Sequence, residues 1–217
     1  MEIRSAMNLA DVRREYARAS LDAKDVDADP FRQFARWINE AITAQVSEAT
    51  AMALATVSPS GRPSCRVVLL KGHDQRGLVF YTSYDSRKAA DIERNGCAAG
   101  TFYWAELERQ IRIEGAVHRV SPAESDIYFD SRPLGSKVSA AISPQSAVIE
   151  SRAHLEDLYL AAERRFGLQV PRPANWGGYR IVPDHFEFWQ GRTSRLHDRI
   201  VYRQSGPSHW TIERLAP

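Results

Sequence analysis

Residues 51–82 read AMALATVSPSGRPSCRVVLLKGHDQRGLVFYT, and this stretch decides the fold class of the chain. Its three apolar runs are short and rich in alternating, β-branched and aromatic residues, which is typical of strands. The runs are separated by PSGRP (59–63) and HDQRG (73–77), and clusters of Gly, Pro and polar residues of this kind signal turns. The segment therefore predicts an antiparallel meander.

Strand composition continues on the C-terminal side of this stretch. It appears in AAGTFYW (98–104), RQIRIEGAVHRV (109–120), GYRIV (178–182), HFEFWQ (185–190), DRIVYR (198–203) and HWTIERL (209–215). About five strands are expected between residues 51 and 120, and more over 176–217. The predicted fold class is mainly β with flanking helices (α+β), with a barrel-like sheet.

Helical patterning occurs before, between and after these strands. Helices are predicted at 9–19, 30–48, 86–94, 121–131 and 151–166. Asp29 followed by Pro30, Ser86, and Ser121 followed by Glu124 are N-terminal signals. The polar segment 131–146 is predicted to be a functional loop. We expect a single domain with an N-terminal helical segment (1–48), barrel strands (51–120), a helical segment (121–170) and C-terminal strands (176–217).

Composition excludes several functional classes. The 217 residues carry 29 Lys and Arg against 27 Asp and Glu, interleaved along the chain, so nucleic-acid binding is not expected. No apolar run approaches the roughly 20 residues of a membrane span, and the N-terminus lacks a secretory core. With only Cys65 and Cys97, we expect reduced thiols in the cytoplasm, with Cys65 buried in its strand. No metal site is expected, because the six histidines form no ligand motif.

Basic residues occur in four short clusters, and no glycine-rich phosphate loop is present. The clusters are Arg66 with Lys71, Ser86-Arg87-Lys88, Arg132 with Ser136, and residues 195–199. Guanidinium and ammonium groups in such clusters suit phosphates, although solvated surface charge explains each cluster taken alone. An extended backbone at 195–199 would put Arg195, His197 and Arg199 on one face. Regular strand geometry would point Arg66 and Lys71 to opposite faces. Trp176 and Trp189 are expected in the core or at an interface.

The clusters lie within motifs that occur in a familiar order. The motifs are RREY (13–16), RVVLLK (66–71), FYTSYDSRKAADIERN (80–95), ERQIRIEG (108–115), YFDSRP (128–133), PQS (144–146), WGGYR (176–180), EFWQGRTSRLHDR (187–199) and ERLAP (213–217). In this order they resemble the pyridoxine/pyridoxamine 5′-phosphate oxidase family, FMN enzymes of vitamin B6 metabolism.

This resemblance implies an FMN-binding split β-barrel and a homodimer with FMN held noncovalently at the subunit interface. The implied FMN contacts are Arg66, Val67, Val68, Leu69, Leu70, Lys71, Tyr81, Thr82, Arg87, Lys88, Gln110, Gln145, Ser146, Trp189 and Arg199. The implied substrate contacts are Arg13, Tyr16, Lys71, Tyr128, Arg132, Ser136, Arg195 and His197. Arg195 and His197 are the implied catalytic residues.

The implied reaction is oxidation of pyridoxine or pyridoxamine 5′-phosphate to pyridoxal 5′-phosphate. Hydride would leave C4′ for flavin N5, and O2 would reoxidise the flavin and yield hydrogen peroxide. Two alternatives stay open: a related split-barrel flavin oxidase acting on another aromatic compound such as a phenazine precursor, and a binding protein that holds FMN or pyridoxal phosphate without turnover.

Overall fold

The computed structural model describes residues 15–207 and 209–217. Five α-helices and nine strands are found in the described chain. In order they are α1 (Pro30–Thr43), β1 (Ala51–Val57), β2 (Pro63–Leu69), β3 (Gly72–Asp74), β4 (Gly77–Ser83), α2 (Arg87–Asn95), β5 (Cys97–Trp104), β6 (Arg109–Arg119), α3 (Pro122–Ser131), α4 (Leu134–Ile142), α5 (Arg152–Phe166), β7 (Trp176–Gln190), β8 (Asp198–Gly206) and β9 (His209–Arg214). A short 3₁₀ turn, Thr193–Arg195, precedes β8.

All nine strands belong to one antiparallel sheet with the order β2-β1-β5-β6-β7-β4-β3, and β8 and β9 extend it from β7. The first part of β7 (176–181) pairs with β4, and its last part (185–190) pairs with β8. A bulge opposite Glu114 and Gly115 lies between these two parts, and bulges bend and twist a strand locally. The sheet thus curls into a half barrel, which confirms the mainly β, split-barrel class.

Three strand predictions need correction. The meander is wrong beyond its first hairpin: β1 pairs with β2 throughout, but β4 pairs with β7. Residues 73 and 74, expected within the HDQRG turn, belong to the short strand β3 (Gly72–Asp74). GYRIV and HFEFWQ are parts of one strand, because the bulge bends β7 without ending it.

The helix N-caps are confirmed. The Ser86 and Ser121 hydroxyls accept hydrogen bonds from the backbone N–H of Ala89 and Glu124, at 3.4 Å and 3.1 Å. These bonds satisfy donors that a helix leaves free in its first turn.

Three helix predictions are wrong in whole or part. The helix expected over 30–48 ends at Thr43, because the chain turns through left-handed conformations at Gln45 and Glu48. Residues 15–19 are not helical, while the rest of the helix expected over 9–19 lies outside the described residues. The loop expected over 131–146 contains α4, which packs Val138 into an apolar cluster.

Two apolar cores hold the elements together. The larger one places Phe34, Trp37 and Ile38 of α1 against the sheet. The smaller one lies under α3, α4 and α5 and includes Phe129 and Trp176. The second core attaches α3 and α4 to the start of β7. Several candidate site residues belong to these elements, so this core fixes their positions.

Cys65 is exposed, so the prediction that it is buried is wrong. β2 is an edge strand, and Cys65, Val67 and Leu69 alternate onto its solvent-facing side. An apolar alternation pattern identifies the strand but does not say whether the rest of the protein covers that face.

Candidate functional site

A cavity of about 460 Å³ lies between β2, β4, α3 and α4. Eleven residues that the sequence predicted as flavin or substrate contacts line it: Val67, Val68, Leu69, Lys71, Tyr81, Thr82, Lys88, Tyr128, Arg132, Ser136 and Gln145. Pro133 and Trp176 complete the lining. Residues separated by up to about half of the chain are therefore brought to one concave site.

Lys88 provides a partly buried cation at one end of this group. Its Nζ donates to Thr82 Oγ1 at 3.0 Å and to Gln145 Oε1 at 2.7 Å, both of them neutral acceptors. Burial, together with the nearby Arg66 guanidinium, lowers the pKa of Lys88 to about 8. A negatively charged ligand would oppose both effects, so the position favours an anion.

Arg66, on β2, lies near Lys88 but is not among the residues that line the cavity. Its Nη1 donates to Thr56 Oγ1 at 2.7 Å and to the Leu54 carbonyl at 3.1 Å. Burial lowers the pKa of Arg66 as well. Lys71, by contrast, follows the end of β2 and lines the cavity, so the two cations are held in different surroundings.

Arg132 is the third cation that lines the cavity, after Lys88 and Lys71, and its surroundings are unusual for an arginine. It caps the C-terminus of α3 with an extended backbone. Its Nη1 is buried and has no hydrogen-bond partner among the described residues. Burial lowers its pKa. A buried donor without an acceptor is costly, so this group is suited to a ligand oxygen.

Three aromatic rings stack beside Arg132. Tyr81 and Tyr128 have centroids 3.9 Å apart and planes 17° apart, and Trp176 is nearly parallel to both. Burial raises the pKa of Tyr81 to about 12, so its hydroxyl stays protonated near neutral pH. Gly178 permits this stack, because a Cβ there would lie 2.8 Å from Tyr81 Cε1 and 2.7 Å from Val120 Cγ2.

A second group of predicted residues lies outside the cavity lining. Gln110, Trp189 and Arg199 are directly opposite one another on β6, β7 and β8, so they share one face of the sheet. His197 packs against Trp189 with ring centroids 4.7 Å apart. The backbone N–H of Arg192 donates to His197 Nδ1 at 3.1 Å, so the neutral ring carries its proton on Nε2.

The predicted convergence of Arg195, His197 and Arg199 is wrong. Residues 193–195 form a 3₁₀ turn in which Ser194 and Arg195 have φ of 54° and 60°, so the segment is not extended. Arg199 is paired with the buried carboxylate of Glu187 at 2.8 and 3.1 Å. Its charge is therefore neutralised within the sheet.

The remaining predicted residues take other positions. Tyr16 packs edge-on against both Trp189 and His197, at 5.8 Å. The Arg87 backbone N–H donates to Ser146 Oγ at 3.2 Å beside the cavity. Leu70 is buried in the main core, and Arg13 lies outside the described residues.

Two residues of interest were missed by the sequence reasoning. Glu108 is almost fully buried, and its Oε2 accepts the backbone N–H groups of Ala17 and Arg18 at 3.0 and 2.9 Å. This carboxylate therefore anchors the segment that carries Tyr16. Trp176 was assigned only to the core or an interface. Both residues stand inside quoted motifs, ERQIRIEG and WGGYR, and that position was the available signal.

Two features are absent from the described residues. No group of three or more His, Cys, Asp or Glu in residues 15–207 and 209–217 could hold a metal ion. Over the same part of the chain, no helix is both long and apolar enough to cross a bilayer.

Comparison with known proteins gives consistent matches. Residues 38–161 match the family described as pyridoxamine 5′-phosphate oxidase, and residues 176–217 match the pyridoxine 5′-phosphate oxidase C-terminal dimerisation region. A pyridoxine/pyridoxamine 5′-phosphate oxidase of Paraburkholderia phymatum is 56% identical over 209 residues, which are 96% of this chain and 99% of the relative.

Two solved structures are also similar. PhzG from Burkholderia lata, crystallised with tetrahydrophenazine-1-carboxylic acid, superposes with a TM-score of 0.86 at 33% identity and covers 89% of this chain and 95% of its own. A pyridoxamine 5′-phosphate oxidase-related, FMN-binding protein from Nostoc punctiforme has a TM-score of 0.69 at 19% identity, covering 88% and 100%, and shares the fold.

Proposed function

The chain belongs to the pyridoxine/pyridoxamine 5′-phosphate oxidase family, and on that premise we propose that it is an FMN-dependent oxidase of vitamin B6 metabolism. It converts pyridoxine 5′-phosphate or pyridoxamine 5′-phosphate to pyridoxal 5′-phosphate in the cytoplasm, with O2 as acceptor and hydrogen peroxide as product. FMN supplies hydride acceptance and the reaction with O2. The observation that carries the proposal is Arg132, which lines the cavity and whose buried Nη1 has no hydrogen-bond partner among the described residues.

The cavity residues fit FMN chemically. The flavin phosphate requires charge-assisted donors, because the chain has no glycine-rich loop to supply backbone N–H groups. The Arg66 charge helps to lower the pKa of Lys88, and the Arg87 charge contributes to the lowered pKa of Arg66, so a phosphate among these three cations would oppose both effects. Tyr81, Thr82 and residues 66–71, together with Gln145 and Ser146, complete the proposed FMN contacts.

The substrate phosphate is assigned to Lys71, Tyr128, Arg132 and Ser136. Tyr128, Arg132 and Ser136 all line the cavity and follow one another from the end of α3 to the first turn of α4. Binding the phosphate there gives Arg132 Nη1 its missing acceptor. Holding the phosphate there also fixes where the reacting carbon lies relative to the protein, so the protein sets the orientation of the substrate.

Arg195 and His197 are proposed to act at the substrate ring, with Arg13 and Tyr16 closing the site. The exposed Arg195 guanidinium has no ion-pair partner within the described chain, so it is available to stabilise charge on the substrate. Because the backbone N–H of Arg192 donates to Nδ1 of His197, the neutral ring presents its Nε2–H as a hydrogen-bond donor.

We also propose that the protein is a homodimer in which the second group completes the cavity of the partner. Gln110, Trp189 and Arg199 contact no part of the cavity in their own chain, and two of them lie in the matched dimerisation region. Val67 and Leu69 are exposed apolar residues that also line the cavity. A second copy that covered this face would bury them and close the cavity.

The proposed function is tested by anaerobic titration of the FMN-loaded protein with pyridoxine 5′-phosphate, followed by admission of air. Loss of the visible flavin absorption, its return in air and formation of pyridoxal 5′-phosphate are expected. A flavin that stays oxidised while pyridoxal 5′-phosphate binds would identify a nonturnover binder. A chain that takes up no FMN would refute the proposal.

The likeness to PhzG favours one second candidate, an oxidase of a reduced phenazine carboxylic acid. A carboxylate could also serve as the acceptor for Arg132. Identity to PhzG is 33%, against 56% to the named pyridoxine/pyridoxamine 5′-phosphate oxidase, so we rank this candidate second. The same titration with tetrahydrophenazine-1-carboxylic acid separates the two: flavin reduction by this compound alone would select it.

A further inference from the structure

Trp176 is held rigidly at the base of the cavity. Its side chain is only 6% exposed and packs edge-on against Phe129 in the smaller core. Its backbone N–H donates to the Pro173 carbonyl at 3.0 Å, and its carbonyl accepts from Arg172 Nη1 at 2.7 Å. A ring fixed by both its packing and its backbone can act as a platform for its neighbours.

The Arg132 guanidinium lies over this platform. Its central carbon is 4.5 Å from the Trp176 ring centroid and 5.6 Å from that of Phe129. Both separations are within the range of cation–π attraction. Arg132 forms no salt bridge with a carboxylate among the described residues, so the aromatic faces are what hold its charge in place.

Other partly buried arginines of this chain are held differently. Arg180 is bound by Asp74 and Glu124, and Arg199 is bound by Glu187. A carboxylate orients a guanidinium but also occupies its donors and neutralises its charge. An aromatic face orients the guanidinium without accepting an in-plane hydrogen bond, so the donors of Arg132 remain available.

Trp176 also lies nearly parallel to the two phenol rings of the cavity. Its plane lies 12° from that of Tyr81 and 8° from that of Tyr128, with centroids 5.6 and 6.2 Å away. The same indole therefore contacts the proposed phosphate residues and the tyrosine assigned to the flavin side.

We propose that Trp176 is a positioning residue for the substrate phosphate: it holds the Arg132 guanidinium by its π face, with the donors free, and so confers preference for phosphorylated substrates. This inference rests on the proposed function and deepens it. It assigns to Trp176 a role beyond packing, exerted through Arg132 rather than by contact with the reacting atoms.

The test compares equilibrium binding of pyridoxal 5′-phosphate with that of pyridoxal, its dephosphorylated counterpart, to the FMN-loaded protein. In Trp176→Leu, the Kd for pyridoxal 5′-phosphate is expected to rise about 5- to 30-fold, the equivalent of a desolvated cation–π contact. The Kd values for pyridoxal and for FMN stay within about twofold. In Trp176→Phe, which keeps a smaller aromatic face, the rise is expected to be smaller. This variant keeps the test decisive if the leucine variant does not fold.

Trp37→Phe is the matched control. Trp37 carries the Arg109 guanidinium over its ring at 4.4 Å, outside the cavity lining. This variant loses a comparable packing contact and should keep the wild-type preference for pyridoxal 5′-phosphate. An equal loss of preference in this control would show a general packing effect and overturn the inference.

A double-mutant cycle with Arg132→Met tests whether Trp176 acts through Arg132. In the Arg132→Met background, Trp176→Leu should cause no further loss of pyridoxal 5′-phosphate affinity. Full additivity, or equal losses for pyridoxal and its phosphate, would overturn the inference while the proposed function stands. A wild-type protein without preference for the phosphorylated compound would refute the proposed function and the inference with it.

Discussion

The Lys88 ammonium makes FMN affinity depend on pH in a defined direction. In the free protein, burial and the Arg66 charge lower the pKa of Lys88 from the ordinary lysine value of 10.5 to about 8. A phosphate dianion beside Lys88 stabilises the ammonium, so the pKa rises again in the complex. Below pH 8 Lys88 is charged in both states. Above pH 8 binding requires uptake of a proton, and affinity therefore falls as pH rises.

The magnitude follows from the two pKa values. With a pKa of about 8 in the free protein and an ordinary lysine value in the complex, the Kd for FMN rises about tenfold between pH 7 and pH 9. The phosphate itself does not contribute to this step, because its second pKa is near 6 and it is already a dianion at pH 7.

The assay is quenching of FMN fluorescence by the flavin-free protein at pH 7, 8 and 9. Lys88→Met should bind FMN more weakly at pH 7, and its Kd for FMN should not rise between pH 7 and pH 9. Lys71→Met is the matched control, because Lys71 lines the same cavity but is exposed. In this variant the Kd for FMN should still rise about tenfold between pH 7 and pH 9. Equal Kd values at pH 7 and pH 9 in the wild type, or a tenfold step in Lys88→Met, would refute the assignment of Lys88 to the phosphate.

Three further substitutions and one control substitution test other parts of the structure. Arg195→Leu should reduce turnover while the free energy of unfolding changes by less than about 0.5 kcal/mol and FMN stays bound, because the side chain is exposed; unchanged turnover would remove Arg195 from the reaction. Gly178→Ala should lower the free energy of unfolding by about 1–3 kcal/mol in urea, since its Cβ would overlap neighbours at 2.7 and 2.8 Å. Gly72→Ala, whose nearest contact is at 3.9 Å, should change it by under about 0.5 kcal/mol, and equal effects would contradict the steric argument. Glu108→Gln replaces a charged acceptor of two backbone N–H groups by a neutral one, worth about 1 kcal/mol, so trypsin should cleave after Arg18 about fivefold faster; an unchanged rate would show that this carboxylate does not anchor the segment.

Local sequence signals predicted where helices and strands lie better than they predicted which strands pair. The caps at Ser86 and Ser121 were predictable because capping depends on a few adjacent residues. The pairing of β4 with β7 was not, because almost one hundred residues separate the two strands and alternation carries no information on partners. The same reason explains the wrong burial prediction for Cys65, because the burial of a residue on an edge strand depends on what covers that strand.

For the candidate site, too, the sequence predicted some features and not others. The order of the quoted motifs identified the family and most cavity residues, because each motif carries the residue types that a phosphate or a flavin ring requires. The sequence did not distinguish one arginine from another. It contains Arg132 and Arg199 in equally plausible motifs, yet Glu187 neutralises the second and Trp176 supports the first.

By itself, then, the sequence determined the chemistry available to this protein: its mainly β class, its family and its set of cations and aromatic rings. Only the tertiary structure decided which cations remain unpaired, which rings stack and which segment Glu108 holds. The physical reason is the separation along the chain over which each kind of interaction acts. Backbone propensity and capping act over a few residues, whereas burial, charge pairing and ring stacking depend on groups that the fold brings together from distant parts of the chain.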